Sequence, residues 1–163
     1  MKKMDMEQHV NRLLAFHPVE IKEWIAFADG LLRDNGCKID AKLGDADASI
    51  LLTYASRRSQ KRVCRISIGE EGCKAFPYGH NFACNNTILP SLPETMLDAM
   101  SDGKHECTGC ATKRPDLITH SFRYMHKGRS YNRCRHHGFG FSLEDAEKRV
   151  WLSKWLAMEV ACV

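Results

Sequence analysis

Two hydrophobic periods meet at Asn35-Gly36, and the switch between them restricts the fold more than any other feature of the sequence. Before it, Ile21, Trp24, Ile25, Ala28, Leu31 and Leu32 recur at steps of three and four; after it, Cys37, Ile39, Ala41 and Leu43 alternate with Lys38, Asp40 and Lys42. The first pattern lines one stripe of a helix, the second one face of a strand. Pro18 can occupy the first turn of that helix, and Asn35-Gly36 is a helix stop. An amphipathic helix leading straight into a half-buried strand calls for helices laid on a sheet.

The rest of the chain fits that scheme. Met6 to Phe16 reads as an earlier helix carrying Val10, Leu13, Leu14 and Ala15. Residues 50–55, 62–68 and 73–78 are further strands, joined by the basic Arg57–Arg62 turn and by Gly69-Glu70-Glu71-Gly72. Ser91-Leu92-Pro93-Glu94 has the capping-box pattern and predicts a helix to Met100; Ser142-Leu143-Glu144-Asp145 predicts the closing helix, with Leu143, Ala146, Val150, Trp151, Trp155, Leu156 and Val160 on it. The expectation is a single α+β domain over residues 1–163. An antiparallel sheet of four to six strands has helices packed on one face, followed by a C-terminal metal-knuckle hairpin and helix.

Composition narrows the setting. No signal-peptide core follows Met1-Lys2-Lys3, and no run approaches the roughly 18 apolar residues of a membrane span. The sequence thus predicts a cytoplasmic protein with no membrane partner. The 8 cysteines in 163 residues are too sparse for a disulfide scaffold. In a reducing compartment clustered thiols hold metal more often than they pair. A net charge of +4 is too mild to imply nucleic acid.

The cluster lies in 105–141, the expected metal-binding subregion. Cys107-Thr108-Gly109-Cys110 places two thiolates where they can wrap one tetrahedral ion, with Gly109 allowing the tight knuckle. Cys134 supplies a third ligand once a hairpin around Lys127-Gly128 returns the chain, and His136 or His137 a fourth, with His105 and His120 as rivals. Thiolate-rich tetrahedral ligation points to zinc first, with iron next. A thioredoxin-like redox pair is disfavoured, because no strand of a βαβ unit leads into Cys107.

The order of Cys107, Cys110, Tyr131, Cys134, Phe139, Phe141 and Asp145 over residues 105–160 resembles uncharacterised small cysteine-rich cytosolic proteins of anaerobic bacteria. That group often carries further cysteine after the C-x2-C, where this chain has Lys113 and Arg114. The departure favours a histidine as fourth ligand. The resemblance implies a metal site and leaves activity open.

Remaining features have plainer readings. Cys37 and Cys64 fall on apolar strand faces and read as buried small hydrophobes. Cys84, near His80, is a loop thiol with no ligand spacing, as Cys73 and Cys162 have none. Asp45 and Asp47 suit a turn. The Arg57–Arg62 run, with Lys113, Arg114, Lys127, Arg129, Arg133 and Arg135, forms a basic surface that Tyr124, Tyr131, Phe139 and Phe141 could extend toward stacked bases. The primary expectation is a binding or interaction module with a structural zinc site of three thiolates and one imidazole, and a small-molecule or protein ligand; nucleic acid is a weaker partner. The alternative is a zinc enzyme with an open metal position and Glu106 or Asp116 as general base.

Overall fold

The structure is a computed structural model that describes residues 3–44, 48–84, 89–102 and 121–163, without the side chains of residues 3–5, 83 and 84. Helix α1 (Lys3–Leu14) and helix α2 (Val19–Asp34) lead into strands β1 (Cys37–Leu43), β2 (Ser49–Ser56), β3 (Arg62–Gly69) and β4 (Gly72–Pro77). A five-residue helix α3 (His80–Cys84), a 3-10 turn (Leu89–Ser91) and helix α4 (Glu94–Met100) follow. Strands β5 (Ser121–His126) and β6 (Arg129–Cys134), the short β7 (Phe141–Ser142) and helix α5 (Ala146–Ala161) complete the described elements.

The expected α+β architecture is observed. The main sheet has five strands in the order β1-β2-β3-β4-β7, each neighbouring pair antiparallel, and β5-β6 forms a separate hairpin. The register pairs Ile50 with Ile68, Leu52 with Ile66, Ile66 with Ala75 and Ala75 with Phe141. Since paired residues of an antiparallel ladder share a face, these side chains form one continuous apolar surface, at most 5% exposed. Leu51, Thr53, Arg65, Ser67 and Phe76 occupy the opposite, half-buried face, where Arg65 lies over the Phe76 ring. Helices α1, α2 and α5 pack against the sheet, and α2 also packs on α5.

The helical stripe of α2 is buried as the spacing requires, with Ile21, Trp24, Ile25, Ala28 and Leu32 inside. Trp24 also donates its indole N–H to the Arg149 carbonyl (2.9 Å) and Ser153 Oγ (3.0 Å), fixing α2 on α5. Gly36 has φ +78°, the left-handed conformation that a glycine helix stop provides. Lys127 and Gly128 have φ values of 47° and 74°. Both positive values match a two-residue hairpin turn whose twist suits its strands.

Several helix starts differ from the sequence expectation. Pro93, not Ser91, is the N-cap of α4, because Ser91 is taken into the preceding 3-10 turn; the proline ring has no acceptor, so no side-chain cap bond forms. Asp145 caps α5 by accepting the Glu147 and Lys148 N–H groups, while Ser142 belongs to β7. The stripe of α5 shifts accordingly. Leu152, Trp155, Leu156 and Glu159 face inward, whereas Val150 is 56% exposed. Pro18 likewise precedes α2 as its N-cap rather than lying in its first turn.

Candidate functional site

The site region forms where the end of β4 meets the end of β6. The chain leaves β4 with Gly79 N–H donating to the Arg135 carbonyl (3.2 Å), and Phe139 N–H donating to the Pro77 carbonyl (3.1 Å). These bonds hold residues 135–139 beside 77–80. His136 consequently stands edge-on to His80, with ring centroids 5.3 Å apart. Beneath them, α5 presents Glu159, fully buried, whose two carboxylate oxygens accept the N–H groups of His80 (2.7 Å) and Asn81 (2.9 Å).

Burial governs the electrostatics here. Desolvation pushes the Glu159 carboxyl up to about 8, against the lowering effects of those two N–H bonds and of Lys61 and Arg135. The His80 imidazole is pushed down to about 4, first by burial, with the nearby charges of His136, Arg135 and Lys61 adding to it. His80 Nε2 lies 3.0 Å from the Arg62 carbonyl, so this nitrogen carries the proton. Above this pair opens a cavity of about 320 Å³ bordered by Gln60, Lys61, Arg62, Tyr78, His80 and His136.

The β5-β6 hairpin brings the expected ligand strand into the same region. Cys134 is the last residue of β6, half-buried, and pairs with Ser121 at the start of β5. His137 N–H donates back to the Cys134 carbonyl (3.2 Å), closing a turn that leaves His136 and His137 exposed. Next to Cys134 in sequence, Arg133 is 1% exposed. Its guanidinium donates to the carbonyls of Met100 (2.7 Å) and Asp102 (3.0 Å) and stacks on Tyr131. Cys107 and Cys110 lie outside the described residues, as do Asp45, Asp47, His105, Glu106, Lys113, Arg114, Asp116, His120 and the side chain of Cys84. The structure therefore places Cys134, His136 and His137 together in one turn.

The other cysteines behave as the alternation predicts. Cys37, Cys64 and Cys73 are buried on the sheet, and no disulfide joins cysteines among the described residues. Burial raises all three thiols, Cys64 to about 12 and Cys73 to about 11, so they are poor nucleophiles. The base-stacking role considered for Phe139 and Phe141 is contradicted: both are at most 2% exposed and pack against Trp155. Tyr124 is likewise buried, stacked between Phe122 and Tyr131.

A further titratable group was not anticipated. Glu94, Asp98 and His126 present ligand atoms close enough to surround one cation. Lys127 already occupies that position, with Nζ 2.8 Å from Asp98 and 3.1 Å from Glu94, while His126 Nε2 lies 2.7 Å from Asp98. The Lys127 and His126 hydrogen bonds hold the Asp98 carboxyl below its usual range. The arrangement is an ion-pair network that ties α4 to the hairpin turn.

Sequence reasoning missed Glu159, yet its signal was present. Leu152, Trp155, Leu156 and Glu159 are spaced i, i+3, i+4, i+7, which puts a carboxylate on an apolar stripe. Nothing comparable in the local sequence marks His80 or Lys61. Among the described residues, no helix is long and apolar enough to cross a membrane. The chain matches no protein-family model, no curated protein and no solved structure.

Proposed function

We propose that this protein is a binding module whose C-terminal hairpin is held by one structural zinc ion, coordinated by Cys107, Cys110, Cys134 and His137. The supporting observation is that both flanks of the segment carrying Cys107 and Cys110 meet the end of β6. Asp102 is tied to Arg133 through its carbonyl, and Ser121 is paired with Cys134. Cys107 follows the anchored Asp102 by five residues, a reach of at most about 17 Å.

His137 is the better fourth ligand. Its backbone bond to Cys134 defines a C-x2-H turn, and such a turn brings its first and fourth Cα atoms within about 7 Å. His136 stands instead against His80 at the cavity rim. Three thiolates and one imidazole close a tetrahedral shell and leave no coordinated water to activate, which favours binding over catalysis.

Metal analysis by inductively coupled plasma mass spectrometry tests the assignment. One zinc per chain is expected, lost in Cys107→Ser, Cys110→Ser, Cys134→Ser and His137→Ala but kept in His136→Ala. Loss in His136→Ala with retention in His137→Ala would reverse the choice of histidine.

A further inference from the structure

The cavity above His80 is chemically asymmetric. The Arg62 carbonyl can only accept, so His80 Nε2 is the donor and Nδ1 of the neutral ring is left as an acceptor. His80 is 1% exposed, and Nδ1 has no hydrogen-bond partner among the described residues. Buried polar atoms in native proteins are nearly always satisfied, and an unmade bond at a cavity points to a missing donor.

The surrounding charge is positive. Lys61 and Arg62 border the cavity, and neither side chain forms an ion pair among the described residues. The adjoining Arg57 and Arg58 are exposed. Glu159 is buried with both oxygens accepting backbone N–H groups, and desolvation raises its carboxyl to about 8, so at neutral pH it adds little opposing charge at the cavity. Gln60 is engaged as well, accepting from Lys38 Nζ and donating to the Arg57 carbonyl. Lys61 and Arg62 thus border about 320 Å³ of space beside the unsatisfied His80 Nδ1, with Tyr78 and His136 completing the wall, a volume suited to a small metabolite.

We propose that this cavity binds a hydroxylated organic anion, its phosphate or carboxylate against Lys61 and Arg62 and one hydroxyl donating to His80 Nδ1. A bare oxyanion leaves the Nδ1 lone pair unmade, and a neutral polyol leaves both cations unused. The inference names the ligand class of the binding module but does not depend on the metal, because Lys61, Arg62 and His80 belong to β3, its preceding turn and α3.

Isothermal titration calorimetry at neutral pH, on protein of measured zinc content, tests it with four probes: glucose 6-phosphate, gluconate, hexyl phosphate and glucose. At least one of the two hydroxylated anions is expected to bind about tenfold or more tightly than hexyl phosphate and glucose. Whichever anion binds identifies phosphate or carboxylate as the preferred group. Its affinity should fall about tenfold or more in the surface variant Lys61→Gln/Arg62→Gln, with an unchanged melting temperature. The His80 imidazole nitrogen signals should shift on binding. Absence of binding by both hydroxylated anions, equal binding of hexyl phosphate, or wild-type affinity in the double variant would each overturn the proposal. Ligand binding by a metal-free preparation would refute the zinc assignment alone, whereas zinc-loaded protein that ignores all four probes would refute the cavity assignment alone.

Discussion

Replacing Glu159 by glutamine should change how stability depends on pH as well as its size. The wild-type carboxyl holds its proton to about pH 8 in the fold, against an ordinary value of 4.5. Across that window the folded state binds more protons than the unfolded state, so stability is fullest near the lower value and is lost as pH rises through the upper one. The loss is at most about 1.4 kcal/mol per pH unit, moderated by Lys61, Arg135 and the two backbone N–H donors. Glutamine stays neutral throughout and presents only one acceptor oxygen, so one of the His80 and Asn81 N–H groups loses its partner, at about 1–3 kcal/mol. Urea denaturation of both proteins between about pH 6 and 8.5 measures the effect, and their difference removes the background common to both. Glu159→Gln should be the less stable at pH 6, and the gap should close by about 2–3 kcal/mol at pH 8.5. Parallel pH profiles would refute a proton held on Glu159.

Other outcomes follow from single contacts. Arg133→Met keeps the buried volume but removes the donors to the Met100 and Asp102 carbonyls; unfolding free energy should fall by about 2–5 kcal/mol, measured by urea titration. A Cβ at Gly79 would lie 2.6 Å from Phe122 Cε1, and Phe122 is wedged between Phe82 and Phe139. Gly79→Ala should therefore cost about 1–3 kcal/mol. Gly30→Ala, in α2 with nothing within 4 Å of its Cβ, should instead add about 0.5–1 kcal/mol. Differential scanning calorimetry of the two alanine variants should give melting-temperature shifts of opposite sign.

Periodicity made the sheet and long helices legible because their patterns follow directly from burial. The strand spans matched closely: 37–43 is β1 as read, and the hairpin turns at Lys127-Gly128. Helix caps were less legible, since Ser91 and Ser142 fit the cap pattern locally but tertiary pairing claims Ser142 for β7 and the 3-10 turn claims Ser91. The pairing of β7 with β4 also depends on contacts distant in sequence. The site region combines a turn lysine and a five-residue helix at the cavity with the α5 carboxylate beneath it. None of these is distinctive alone; the topology makes them neighbours.

Zinc content of purified Cys134→Ser compared with wild type, paired with the two melting temperatures, tests the proposed module most directly. Structural zinc is coupled to folding, so wild type should carry one zinc per chain, and the variant none, with a markedly lower melting temperature. Wild-type protein without metal, or a Cys134→Ser protein that keeps its zinc and its stability, would contradict the metal-held hairpin.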